Sequence, residues 1–306
     1  MNGRLVDFLA DPHDGSELKL HIFEGDEELV RAGALINPQS GRWYPIRDAI
    51  PTLFVDALRE GDAEFIARFG TPLNAALQEE GCAKVEHAQQ DAEETADLQR
   101  IERERAARDD QAEDYDRLLS IKVLDWFERP VYRRVMSAVP NMLVLEAGCG
   151  TGRFTSLFAE SAGELISVDM SRDSLLRNRA RHVGKTASTV HWIQADLTHL
   201  PLKDDIFGAI AHVGVYEHIP SRDLRLQFLE HAKRVLGQDG TLLLSAYRYN
   251  GLTKYFEKEG EHDGGIPFFR FTEQELRDEV ETYFTIEEFR ENLGVYMSMV
   301  VARERV

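Results

Sequence analysis

The sequence predicts a doubly wound α/β fold: a mostly parallel seven-stranded sheet with helices on both faces, preceded by a small β-rich unit and a helical linker. Three observations predict it. Apolar strand-like runs alternate with amphipathic helical stretches from Ile121 onward. A glycine-rich turn directly follows the first of those runs, and an acidic residue, Asp169, ends the second about 20 residues later.

The elements follow in order. Met142–Leu145 reads as a strand and Phe154–Ala159 opens a helix. Leu165–Val168 and Asp173–His182 repeat the pair. Val190–Ala195, Ile206–Val213 and Thr241–Ala246 supply further strands. The helix Leu224–Leu236 carries Leu224, Phe228, Ala232 and Val235 at helical spacing. A helix at Glu273–Val280 precedes two strands near Tyr283–Phe289 and Val295–Ala302. Their short connection predicts an antiparallel edge pair.

Two other textures precede this unit. Residues 1–58 read as short strands punctuated by Gly25, Gly33 and Gly41, with Trp43, Tyr44, Ile46 and Leu53 as the packing residues. Residues 59–119 form a charged helical linker, in which Glu93-Glu94 and Glu102-Arg103-Glu104-Arg105 favour a solvated helix. Its apolar residues Val85, Leu98, Ile101 and Tyr115 keep no heptad. The linker is also a candidate arm for a protein partner or self-association. Residues 120–306 complete the division, and no internal repeat is visible.

Composition narrows the function. Asp plus Glu number 54 against 36 Lys plus Arg, giving a net charge of −18 that disfavours nucleic acid and anionic lipid. Two cysteines, Cys82 and Cys149, make no disulfide framework and suit a reducing compartment. The start, Met1-Asn2-Gly3-Arg4, lacks the apolar core of a signal peptide. No apolar run nears the roughly 18 residues of a membrane span. The expected location is the cytoplasm, with no membrane partner.

The chemistry begins at Glu146-Ala147-Gly148-Cys149-Gly150-Thr151-Gly152. Glycines at a strand-to-helix turn let the backbone come close to a ligand. Counted from Gly148, a dinucleotide fingerprint would need Gly or Ala where Arg153 stands. A P-loop would need Gly-Lys-Ser/Thr where the chain reads Gly152-Arg153-Phe154. Asp169 stands where a carboxylate can hold ribose hydroxyls.

Val144–Gly152 resembles the first motif of class I S-adenosylmethionine (SAM)-dependent methyltransferases, and Val168-Asp169-Met170-Ser171 resembles the second. Gln194–Leu197, Leu200–Leu202, Phe207–Ile210, Val215–Pro220 and Arg234–Gly240 resemble later stretches in the same order. The resemblance implies a Rossmann-like methyltransferase fold with SAM as cofactor. Gly148, Gly150 and Gly152 would lie by the methionyl and ribose parts, and Glu146 would steady the turn. Asp169 would accept from the ribose hydroxyls, Met170 would pack on the adenine, and Asp196 with Leu197 would face its amine edge.

Residues 1–58 resemble the small zinc-ribbon domain that activates tRNA and protein methyltransferases. The likeness lies in Leu9–Pro12, Gly15–Leu18 and Tyr44–Pro51. Where metal-binding members carry two Cys pairs, this chain has Asp11 and Asp14, then Asn37 and Ser40. Those are poor ligands for structural zinc, so a ribbon without metal is expected.

SAM carries an activated methyl, so alignment of the nucleophile is the main task, with a base needed only for a protonated acceptor. His218 and His212 are the candidate catalytic residues, among Tyr216, Glu217, Tyr247, Arg248 and Tyr249 at the carboxyl ends of the fourth and fifth strands. Some quinone-precursor O-methyltransferases place a metal-binding carboxylate three residues before the Glu-His pair; Gly214 stands there, so no metal is expected. His212–Val215 lacks the Asn/Asp-Pro-Pro-Tyr/Phe loop of amide and base N-methylation. Asn250–Phe271 reads as an acceptor-covering lid, with Phe256, Phe268 and Phe269 as contacts, or as a packing insertion. The expected function is methyl transfer to an O or N nucleophile of a small molecule. Two alternatives stand beside it: a tRNA or protein methyltransferase with a fused activator-like domain, and a non-catalytic SAM-binding scaffold.

Overall fold

The computed structural model describes residues 1–55, 58–59, 61–84, 96–111, 119–251, 255–262, 265–293 and 296–305. Val85, Glu93, Glu94, Tyr115 and Val295, and the side chain of Leu98, lie outside the described parts. The N-terminal unit is an antiparallel sheet of β1 (Lys19–Gly25), β2 (Val30–Ile36), β3 (Trp43–Arg47) and β4 (Ile50–Pro51), in that order. Helix α1 (Asp62–Glu79) sets Phe65, Phe69, Leu73 and Ala76 along one face, and these pack on Ala32, Ala34, Ile36 and Trp43. Trp43, Tyr44, Ile46 and Leu53 are buried as expected.

Two turns of this unit are built alike. In Asp11-Pro12-His13-Asp14-Gly15-Ser16 and Asn37-Pro38-Gln39-Ser40-Gly41-Arg42, the first amide donates to the sixth carbonyl and the glycine donates back to the first. The first side chain's oxygen also accepts the amide two residues on. Six degenerate residues are too few to register as a sequence period. The Asn37 amide nitrogen donates to Asp11 Oδ2 at 2.7 Å, and the Tyr44 hydroxyl donates to Oδ1 at 2.8 Å.

Helices α2 (Ala96–Gln111) and α3 (Leu119–Met136) lead into the second unit. The expectation of a solvated linker helix is corrected for α2, where Ile101, Glu104, Arg105 and Ala107 are buried. Arg105 donates to the Leu58 carbonyl at 2.9 Å and lies over Phe54, 5.4 Å from its ring centre. Asp109 accepts from the Ser171 hydroxyl at 2.5 Å and the Asp173 amide at 3.1 Å. Composition alone could not show that its charged residues find partners in the folded chain.

The large sheet runs through β5 (Leu143–Ala147), β6 (Glu164–Asp169), β7 (Thr189–Gln194), β8 (Phe207–Val213) and β9 (Leu236–Tyr247), with α4 (Thr155–Ala159), α5 (Arg172–His182) and α6 (Arg222–Val235) as crossovers. A hairpin, β10 (Glu259–His262) with β11 (Ile266–Phe269), then precedes α7 (Glu273–Val280), β12 (Phe284–Leu293) and β13 (Met297–Glu304). The order is β12-β13-β9-β8-β5-β6-β7, with only β13 running against the rest. The last two strands pair antiparallel as expected, β13 inserting between β9 and the edge strand β12. Strand β9 starts at Leu236 rather than Thr241, because Leu236 pairs with Phe207 before a bulge restores the register at Thr241.

The order reverses between β5 and β8, which opens a crevice at their carboxyl ends. At the far edge, Thr52 bridges Gln194 of β7 and the Leu53 amide donates to the Gln194 carbonyl at 2.8 Å. The N-terminal unit thereby covers an edge that would otherwise be open to pairing. Leu9, Leu35, Tyr44 and Leu53 belong to the same buried cluster as Ile166, Val168 and Ile193.

Candidate functional site

The crevice holds a cavity built on the turn after β5. Gly148, Gly150 and Gly152 have φ of 81°, 49° and 91°, a region that strains other residues. A Cβ on Gly148 would lie 2.5 Å from Val215, and one on Gly152 2.8 Å from Asn178 and His182. Asp169, ending β6, accepts from the Gly150 amide at 2.7 Å and the Ser171 amide at 2.9 Å. Burial raises its pKa against those two bonds.

Glu146 accepts from the hydroxyls of Thr155 and Ser167, each at 2.7 Å, which ties β5 to α4 and β6. Burial pushes its pKa up to about 7. Asp196 is also buried, yet hydrogen bonds from His199 and Thr198 outweigh that burial and hold its carboxyl below the usual range. From α2, Glu104 reaches the same cavity, and burial pushes it up to about 7 although Arg108 stands 3.6 Å away. Glu104, Glu146, Asp169 and Asp196 thus line one space, which suits a ligand carrying positive charge.

Glu146, Gly148, Gly150, Asp169, Met170, Asp196 and Leu197 all line this cavity. Gly152 instead packs beneath the turn on Asn178 and His182. Met170 also packs against the small cluster of Phe54, Leu58 and Ile101. Ile101, Glu104 and Arg108 escaped the sequence reading. Helical spacing puts them on one face of α2, but their charge reads as solvation.

The two histidines fall elsewhere. His212 is fully buried in β8, 4.1 Å from the Phe228 ring centre. Its Nδ1 lies 2.9 Å from the Ala147 carbonyl oxygen, which can only accept, so Nδ1 carries the proton. Burial lowers its pKa to about 4. His218 donates in the same way from Nδ1 to the Pro267 carbonyl at 2.8 Å, and burial drives its pKa well below 6.5. Neither lines the first cavity.

Glu217 lies between them, in the short turn Tyr216–His218. Both neighbours are anchored: the Tyr216 hydroxyl donates to Glu279 at 2.7 Å, and Arg225 holds Glu279 with two bonds of 2.9 Å. Glu217 is 1% exposed, and among the described residues neither carboxyl oxygen has a hydrogen-bond partner. Burial raises its pKa to about 8. It lines a second cavity of about 420 Å³ under the β10–β11 hairpin. Ile219 and Pro220 line both cavities.

Residues 145–244 match the methyltransferase domain family model. A probable SAM-dependent methyltransferase of Mycobacterium tuberculosis is 33% identical over 122 residues, 39% of this chain and 42% of that protein. This stretch is thus similar to SAM-dependent methyltransferases. A probable tRNA methyltransferase 9B of mouse is 27% identical over 127 residues, 39% of this chain and 25% of that one. The chain thus spans less than half the length of either relative. The solved Burkholderia thailandensis 1,6-didemethyltoxoflavin-N1-methyltransferase shares the fold, with a TM-score of 0.56 at 20% identity over 72% of this chain and 95% of that one. Among the described residues, no helix is long and apolar enough to cross a membrane.

Proposed function

We propose that this protein transfers the methyl group of SAM to an oxygen or nitrogen nucleophile of a small-molecule acceptor. The observation that carries the reading is the Asp169 carboxylate closed on the Gly150 amide in the wall of an acid-lined cavity. In this reading Asp169 holds the ribose hydroxyls, and the backbone of Gly148 and Gly150 passes close to the cofactor. Met170 and Leu197 flank the adenine, Asp196 faces its amine edge, and Glu146 braces the turn together with Gly152. SAM supplies a methyl on a sulfonium, and the four surrounding carboxyls favour that positive charge. Titration calorimetry tests it: wild-type protein binds SAM and S-adenosylhomocysteine, and Asp169→Ala weakens both by about 1–3 kcal/mol. A wild-type protein that binds neither overturns the reading.

A second reading, transfer to tRNA, is favoured by the likeness to the mouse tRNA methyltransferase 9B and opposed by the charge of −18. Tritiated methyl transfer into a cell extract, fractionated into small molecules, RNA and protein, separates the two. We also read the N-terminal unit as a zinc ribbon without metal, in which the bonds among Asp11, Asn37 and Tyr44 stand where a metal would be. Two free cysteines support a cytoplasmic setting.

A further inference from the structure

We infer that the second cavity is the acceptor site, that Glu217 is its proton acceptor, and that its occupant is a small aromatic hydroxyl compound; this rests on the methyltransferase reading. Three observations converge. The cavity adjoins the cofactor cavity at Ile219 and Pro220, which line both. Its volume of about 420 Å³ falls within the ordinary range for small-molecule pockets. Its buried carboxylate is the one in the site with no hydrogen-bond partner among the described residues, whereas Glu146, Asp169 and Asp196 are all bonded. A buried polar group without a partner is costly unless a ligand supplies one.

The walls select the chemistry. Pro267, Phe268, Phe269, Ile219 and Pro220 offer flat apolar surface to an aromatic ring. Arg100 and Arg103 of α2 line the cavity together with the oppositely charged Glu259 and Glu261 of β10, and Arg108 and Arg153 act on the Glu217 carboxyl from the cofactor side. Of the charges acting on the Glu217 carboxyl itself, Arg108 and Arg153 outnumber Glu128, which disfavours a cationic amine beside it and favours a neutral hydroxyl. A phenol ionises at about 10, nearer to the raised Glu217 than to an ordinary carboxylate at about 4.3, so the proton transfer is better matched. As the acceptor oxygen bonds to the methyl carbon, its proton passes to the Glu217 carboxylate. The sulfur–methyl bond breaks with its electron pair left on sulfur, so the products are the methyl ether, S-adenosylhomocysteine and protonated Glu217.

The test uses full-length protein saturated with S-adenosylhomocysteine and para-cresol as the probe, titrated by calorimetry. Saturation is measured first: failure there removes the methyltransferase reading itself, and with it this proposal. Wild-type affinity for para-cresol should rise with pH through about 8, because the ionised carboxylate accepts the stronger hydrogen bond. The groups facing Glu217 are Arg108 from α2, Glu128 from α3, Arg153 beside the glycine turn and His218 in its own turn, with Arg100 and Arg103 of α2 and Glu259 and Glu261 of β10 around the same cavity. Glu217→Gln should bind para-cresol about tenfold more weakly and without that rise, and Glu217→Asp should restore part of both. Phe268→Ala, on the apolar wall, should weaken para-cresol while leaving S-adenosylhomocysteine affinity unchanged, and it tests the site if the glutamine variant fails to fold. Equal, pH-independent affinity in wild type and Glu217→Gln, no binding by saturated wild type, or tighter binding of benzylamine than of para-cresol would overturn the inference.

Discussion

Asp11 and Glu217 are both carboxylates shut away from solvent, at 2% and 1% exposure, yet the chain treats them oppositely. Asp11 joins the two matching turns of the N-terminal unit. Its oxygens accept from the His13 amide, the Tyr44 hydroxyl and the Asn37 side chain, so its burial is fully compensated. Among the described residues the Glu217 carboxyl receives no hydrogen bond, although its neighbours on either side are locked in place. The difference separates a polar group that holds structure from one kept ready for a ligand. Compensated burial stabilises, and uncompensated burial costs stability in the absence of a ligand.

The largest expected effect that sharpens this contrast comes from Asp11→Ala. It strands the Tyr44 hydroxyl and the Asn37 amide in the interior and should destabilise the protein by about 3 kcal/mol or more, read as a lower midpoint in urea. Glu217→Gln should act in the other direction. A carboxyl whose folded pKa lies above its unfolded value gives stability that is present below about 4.5 and lost as pH rises through about 8. Wild-type stability should therefore fall between those limits relative to Glu217→Gln. The gap should reach on the order of a few kcal/mol above pH 8. A mutant less stable than wild type at high pH would show that Glu217 holds structure as Asp11 does.

Asp109→Ala should have a smaller effect. Losing the bonds to Ser171 and Asp173 loosens α2 over the cofactor cavity, and SAM should dissociate about tenfold faster in stopped flow. The smallest effect is expected from chelation. Ethylenediaminetetraacetate should leave the melting temperature unchanged, because Asp11, Asn37 and Tyr44 bond one another directly. A lowered melting temperature, with one equivalent of zinc by elemental analysis, would break the comparison at its N-terminal side.

Much of the sheet was legible because its strands are buried on both faces and read as apolar runs, as in Leu165–Val168 and Ile206–Val213. The glycine turn was legible for a different reason. Its backbone needs φ above zero at three positions, and glycine is the residue that allows it. The β10–β11 hairpin was not, since Glu259-Gly260-Glu261-His262 has neither apolar content nor alternation and is held by pairing to Ile266–Phe269. The charge of α2 predicts a solvated helix, because charge count carries no information on which charges find partners. In the sequence Glu217 is one of several polar residues near the fourth strand. What sets it apart is the bond it lacks, and a missing bond leaves no trace in composition or spacing.

The docking of the first unit onto β7 has a consequence for the order of synthesis. Leu9 bridges Leu202 and Thr52 bridges Gln194, so the N-terminal unit finishes its packing only after β7 and the segment that follows it have left the ribosome. Until then Leu9, Leu35 and Leu53 lack the surface that covers them. Contacts this distant in sequence close slowly. A nascent chain halted before Thr189 should therefore present these residues to chaperones, and release of that hold should coincide with the emergence of Leu202.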